Sequence, residues 1–209
     1  MQTSPDRYSW GAISASLYVS FQVIANVLST KIALLPFLNL SIDGGTVIYP
    51  LTFTLRDFVH KTLGKKASRQ IVVLAGLVNL GMVLLFLLIG KMTPDPSWTF
   101  QESYNNILLP VWRITLASIF SQVVSELVDT EIFSKVYHIF GDVKSVLISN
   151  TVSLVLDSIL FSFVAFFGQL PMNVLWQIIF TNILIKLAMS ILSSPTIKLI
   201  PRHADDSKI

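Results

Sequence analysis

The sequence predicts an all-α, polytopic integral membrane protein, a helical bundle of about six transmembrane helices forming one domain over residues 1–209. Three observations predict it. Of the 209 residues, 53% are hydrophobic and only 13% charged, and the mean hydropathy is +0.68, well above that of a soluble domain this size. Residues 71–89 form an uncharged, almost unbroken apolar run, long enough to cross a hydrocarbon core of roughly 30 Å. Further apolar segments recur along the chain with short basic loops between them, leaving no room for a separate catalytic domain.

Taken in order, the expected spans are 9–29, 46–59, 69–90, 108–128, 145–168 and 170–192. The last two are separated only by Gly168-Gln169-Leu170-Pro171, which forces an antiparallel pair. Residues 46–59 are apolar but carry Pro50, and at ~1.5 Å per residue they reach about two thirds of the core, so they read as a short or broken span. Such segments often hold binding sites, because unwound backbone offers polar groups at depth. Residues 32–42, ahead of the turn signal Asp43-Gly44-Gly45, read as a small lid at the membrane surface. Residues 131–140 alternate apolar and charged positions at helical spacing, as an interfacial amphipathic helix would.

The basic stretch from His60 to Arg69 lies on one side of the third span and the nearly Lys-free loop 91–102 on the other. The positive-inside rule makes the basic side cytoplasmic and, with six spans, places both termini there; Lys31 is the exception. Trp98, Trp112 and Trp176 then mark the outer interface and Trp10 the inner one. The N-terminus shows no cleavage signature, so no removed leader is expected. With no cysteine and with His60, His138 and His203 scattered, neither a metal site nor any other cofactor is expected. The net charge of +3 belongs to these loops and does not call for a nucleic-acid partner. The bilayer is the expected partner, and a homodimer is left open.

Charges at bilayer depth cost at least ~2.5 kcal/mol each, so one kept there has a partner or a task. Asp157 sits mid-span and is too short to reach either interface; Asn150 and Ser153 share its face. In the fourth span Thr115, Ser118, Gln122, Ser125, Glu126 and Asp129 fall within one sector of roughly 100°. Arg113 points to the opposite side, where it snorkels or pairs with another helix. The first span presents Tyr18, Gln22, Asn26 and Ser29, the last Asn182, Lys186, Ser190 and Ser193. Lone Ser, Thr and Asn residues more often join helices than touch ligand. A ligand role is therefore weighted to Asp157 and Glu126. Asp57 and Asp129 lie near inner ends, where Arg56 or Lys135 explains them, and Lys186 either reaches the interface or neutralises an acid. Asp129-Thr130-Glu131-Ile132-Phe133 also echoes Asp157-Ser158-Ile159-Leu160-Phe161, a pattern that repeated transporter units would leave.

Several of these residues, taken together, resemble the queuosine precursor transporter family of six-helix bacterial membrane proteins. The carriers are Asn26 and Lys31, Gly44-Gly45 followed by Tyr49-Pro50-Leu51-Thr52, and Asp57 with Gly64. They continue with Arg113, Ser118, Ser125-Glu126-Leu127-Val128-Asp129, Phe133, Asp157, Phe161 and Phe166-Phe167-Gly168. The resemblance implies uptake, across the bacterial inner membrane, of a purine-like small molecule: a 7-deazaguanine base such as 7-cyano-7-deazaguanine or queuine, used in tRNA modification. A guanine-like edge sets a ring N–H beside an exocyclic amine, and one carboxylate accepts both. Glu126 or Asp157 suits that role, with Gln122, Asn26 or Asn150 on the remaining polar atoms and Tyr18 or Tyr49 stacking on the base. The chain departs from the family pattern at His60, Lys61, Leu63 and Leu154, and has Glu126 where a Gln is usual.

A secondary carrier, with a proton-coupled cycle admitted, is the leading expectation. The binding subunit of an energy-coupling vitamin transporter is the first alternative. An intramembrane enzyme is the second, disfavoured because no Gly-x-Gly-Asp, His-Glu-x-x-His or clustered Ser/His/Asp motif is present.

Overall fold

The structure, a computed structural model, describes residues 5–36, 38–140 and 142–193. Within them the order is α1 (Pro5–Leu28), β1 (Ile32–Leu34), β2 (Ser41–Asp43), a 3-10 turn (Gly44–Val47), α2 (Tyr49–Leu63), α3 (Lys65–Gly90), α4 (Gln101–Leu108), α5 (Val111–Phe140), α6 (Asp142–Phe166) and α7 (Met172–Ser193). This is the helical membrane bundle that the composition predicts. Four stretches among the described residues are long and apolar enough to cross a bilayer: Trp10–Leu28, Lys65–Gly90, Gln101–Asp129 and Met172–Met189. The stretch Thr151–Phe166 of α6 is apolar but shorter, and α2 has only 15 residues.

The partition of side chains is that of a protein dissolved in lipid. Leu77, Leu84, Leu85 and Leu88 of α3 and Phe180 and Ile191 of α7 are exposed, whereas Ser121, Thr181, Asn182, Asp157 and Lys186 are buried. Two apolar clusters hold the bundle. Tyr18, Leu55, Val59, Ile71 and Ala75 join α1, α2 and α3, while Ile114, Ala117, Phe166, Leu175 and Ile178 join α5, α6 and α7. The polar residues lie between these halves.

The hairpin departs from the sequence expectation. Its reversal falls within residues 35–40, closed by the Leu35 N–H donating to the Leu40 carbonyl at 2.9 Å, and Ile32 pairs with Asp43, Ala33 with Ile42 and Leu34 with Ser41. Asp43 is thus the last strand residue. Its carboxylate accepts from the Thr46 backbone N–H at 3.2 Å and caps the 3-10 turn. Ser41, Ile42 and Asp43 are all buried, so β2 is a wedge inside the bundle, whereas Leu34 and Leu38 in the part of the hairpin ahead of it are exposed. The Gln177 side chain accepts from the Ser41 N–H at 3.0 Å, and the Thr181 hydroxyl donates to the Ser41 carbonyl at 2.9 Å. Both straps hold the wedge to α7.

Pro50 does not break a helix. It stands in the first turn of α2, where its missing N–H removes a donor that would have no intrahelical acceptor. The second crossing is therefore composite: 15 helical residues, ~22 Å, with the 3-10 turn and hairpin completing the depth. Residues 131–140, expected as a separate interfacial helix, continue α5 unbroken, because no Gly or Pro interrupts residues 111–140. The tight turn after α6 uses Gly168 at φ 77°, a conformation that costs glycine nothing. It returns the chain into α7 as an antiparallel neighbour.

Gly45 allows the wedge to seat on α1. A β-carbon there would fall on the Ser29 hydroxyl oxygen and within 2.5 Å of the Ala25 carbonyl. Gly81→Ala, where a β-carbon meets nothing within 4 Å, is the natural control. Gly45→Ala is expected to lose about 2 kcal/mol to overpacking, and Gly81→Ala to be neutral or to gain up to ~1 kcal/mol from helix propensity. Melting temperatures in detergent test this, and equal values for the two variants would refute the close approach.

Candidate functional site

The buried polar residues converge at one depth. The segment containing α4 leads from α3 into α5, the turn after α6 leads into α7, and Arg113 at the start of α5 bonds the end of α6, so the C-terminal ends of α3 and α6 and the N-terminal ends of α5 and α7 lie on one side. Ser118, Asp157, Asn182 and Asn79 stand roughly seven to eleven residues from those ends, ~10–17 Å at ~1.5 Å per residue. That is near the middle of a bilayer core of roughly 30 Å. α1 ends at this level too, since the Asn26 side chain in its last turn donates to Asn79 Oδ1 at 2.7 Å. α2 begins at the same level. Two helices of opposite polarity thus terminate inside the protein.

At the centre, Lys186 Nζ donates to Asp157 Oδ2 at 2.6 Å, with the two side chains 4% and 8% exposed. The ammonium also stands 5.1 Å from the centre of the Tyr49 ring, a cation-π distance. A second carboxylate, Asp43, is 1% exposed and accepts from the Ser29 hydroxyl at 2.7 Å and the Thr46 hydroxyl at 2.6 Å. Thr46 also contacts Asn182. The single hydroxyl proton of Thr46 is taken by Asp43. The network closes if Asn182 presents its amide N–H to Thr46 and its carbonyl to the Ser162 hydroxyl, which lies 3.4 Å from the same amide group.

These groups enclose a cavity of only about 20 Å³, room for a single water. Of the polar residues expected from sequence, Asn26, Ser29, Tyr49, Ser118, Asp157, Asn182 and Lys186 line it, joined by Asp43 and Thr46. A neighbouring cluster lies toward the opposite ends of the helices. The Gln22 side chain donates to the Tyr18 hydroxyl at 3.3 Å and lies near Tyr49, while Gln122, near Tyr18, donates to Glu126 at 3.5 Å. Glu126 pairs with Arg56 at 3.0 Å, partly exposed, and does not line the Asp157 cavity. Tyr49 connects the two clusters.

The remaining candidates lie elsewhere. Asp129 accepts from Ser153 at 3.3 Å between α5 and α6, and Asp57 faces the outside of α2 beside Arg56 and His60. Arg113 donates from Nε to the Val164 carbonyl at 2.7 Å and from a terminal nitrogen to the Phe167 carbonyl at 2.6 Å, capping α6. The side chains of Asn150, Ser190 and Ser193 lie outside the described residues. Sequence reasoning missed Asp43, Thr46 and Asn79. The signals were an Asp three residues before a Thr across two glycines, a capping pattern, and a lone Asn in the apolar run 71–89.

A composite span, interior helix ends and a charged, hydrogen-bonding chamber between two helical halves are features of multi-span membrane transporters. The comparisons with known proteins agree. Residues 43–200 match the family described as "Putative vitamin uptake transporter", and the chain belongs to that family. It is 28% identical over 157 residues, 72% of this chain and 68% of the relative, to the "Probable queuosine precursor transporter" of Bacillus subtilis (strain 168). No solved structure matches it.

Removing one member of a buried ion pair leaves the other unpaired and costs about 3–5 kcal/mol. Asp157→Asn and Lys186→Gln are each expected to lower thermal stability by about that much, and the double variant to recover most of it. A double-mutant cycle on melting free energies in detergent measures the coupling; strictly additive losses would mean that the pair is not the structural unit described.

Proposed function

We propose that this protein imports a queuosine precursor, a 7-deazaguanine base such as 7-cyano-7-deazaguanine or queuine, across the bacterial cytoplasmic membrane as a secondary carrier. The observation that carries the proposal is the Asp157–Lys186 pair, buried at mid-depth beneath the Tyr49 ring. The similarity to a protein named for that substrate supports the choice of base. Both termini face the cytoplasm in this reading, as the basic loops require.

The pair suits a neutral base. Asp157 can exchange its bond to Lys186 for the ring N–H and exocyclic amine of a guanine-like edge, and Lys186 then turns to the base carbonyl. The net charge of the chamber stays the same throughout. Asn26 and Asn182 supply amides for the remaining ring atoms, and Tyr49 a face for stacking. Because the closed chamber holds about 20 Å³, the helices around it must part to admit a bicyclic base. A proton delivered to Asp157 would cancel its charge and release Lys186, so the same carboxyl can carry the coupling proton. On the inner side, Gln22, Tyr18 and Gln122 continue the polar path toward Glu126 and Arg56.

Expression in cells unable to make queuosine should restore queuosine in tRNA when the precursor is supplied. No gain over empty vector would end the substrate assignment. Asp157→Asn/Lys186→Gln, which keeps the fold, should cut uptake at least tenfold. In proteoliposomes the protein alone should take up labelled base, with the rate rising when the outside is acidified and falling with a protonophore. A strict requirement for partner ATPase subunits would instead identify the binding subunit of an energy-coupling transporter.

A further inference from the structure

A second cavity, of about 680 Å³, opens among the outer-side ends of α4, α5 and α6. Its wall interlocks with that of the central chamber position by position. Ser29 lines the chamber and Thr30 the outer cavity; Asp43 lines the chamber and its strand partner Ile32 the outer cavity. On α5 Ser118 faces the chamber and Ile114, one turn nearer the outer end, the outer cavity; on α6 Phe161 and Ala165 divide in the same way. The two cavities are stacked along the bundle axis, and the hairpin is the partition between them.

The chemistry of the outer cavity is distinct. Among the described residues no carboxylate lines it. Arg113 belongs to its wall but is held by the Val164 and Phe167 carbonyls, which fixes the guanidinium in place. The side-chain amides of Asn106 and Gln169 have no hydrogen-bond partner among the described residues, and Asn105 accepts from Gln101 at 3.0 Å and keeps its own N–H donors. Trp112 adds a large aromatic surface. Carboxamides carry both donors and acceptors without charge, and an indole face stacks on any planar ring. The volume lies within the ~300–1,000 Å³ range of small-molecule sites.

We infer that the outer cavity is a binding vestibule for a neutral planar heterocycle, the first station for solute on its way past the hairpin to Asp157. Its ligand class and its outward sidedness rest on the import reading above; its existence does not. The chain has no cysteine, so single cysteines report position without background. In intact cells, a charged, membrane-impermeant methanethiosulfonate requires a hydrated thiolate. It should modify Asn106→Cys and Gln169→Cys at least tenfold faster than Ser121→Cys, which lines the central chamber. Saturating guanine or 7-cyano-7-deazaguanine should slow the outer labelling, a readout that needs no transport. Asn106→Ala/Gln169→Ala should raise the KM for uptake about tenfold at nearly unchanged maximal rate.

Equal rates at Ser121→Cys, or no reaction at Asn106→Cys and Gln169→Cys from outside, would overturn the stacked arrangement. Labelling unaffected by every neutral base tested would overturn the binding role. Base protection of Asn106→Cys and Gln169→Cys, together with wild-type protein that restores no queuosine, would sink the substrate assignment and leave the vestibule standing.

Discussion

An ammonium and a carboxylate at mid-bilayer depth are each untenable alone, and the pairing of Lys186 with Asp157 removes that penalty for both. The 2.6 Å contact also sets the rotation of α6 against α7, because both side chains must emerge on facing surfaces. Once that rotation is set, Asn182 is brought toward Ser162 and Thr46, Phe161 to the chamber wall, and the Tyr49 ring over the ammonium. The pair is thus both a structural fastening and the most reactive polar feature of the interior. Those roles conflict only if the bond never exchanges, and a solute edge offering two donors to one carboxylate is the kind of competitor that can exchange with it.

The irregular second crossing meets a different constraint. Strand and 3-10 backbone cannot face hydrocarbon, since lipid offers nothing to the unpaired N–H and C=O groups. Here protein covers the segment. Gln177 and Thr181 satisfy Ser41, Asp43 satisfies the 3-10 turn, and Gly44 donates to the Lys31 carbonyl at 2.9 Å. Each such bond contributes about 1 kcal/mol in net terms. Leaving a buried group unmade costs more. The wedge is therefore held chiefly by the cost of removing it, with Gly44 and Gly45 permitting its approach to the end of α1.

How far the sequence could be read followed the type of element. The helical stripes were visible because a 100° advance per residue fixes which side chains share a face; Asn26 and Lys186 emerged from that rule, and Asp157 from the cost of a charge at depth. The two acids, placed together by sequence, are separated in space: Glu126 turns to Arg56, a partner on α2 that helical periodicity in α5 cannot reveal. Asp43 and Thr46 escaped notice because an Asp-Gly-Gly run is most often an exposed turn. Its burial depends on α7 supplying acceptors and donors more than 130 residues later in the chain. Asn79 escaped for the opposite reason, since one amide in a long apolar run hardly alters the hydropathy that marks the span.

The interior ends of α1 and α2 have an effect beyond their hydrogen bonds. A helix terminus carries a fractional charge of roughly half an electron, negative where α1 stops and positive where α2 starts. Two such ends facing one small chamber establish an electric field across it while adding no net charge. A heterocycle with a strong permanent dipole would be aligned by that field before any individual bond formed. An apolar molecule of the same outline would gain nothing from it. Two interrupted helices can thus filter solutes by dipole moment, a selection that operates even among uncharged candidates.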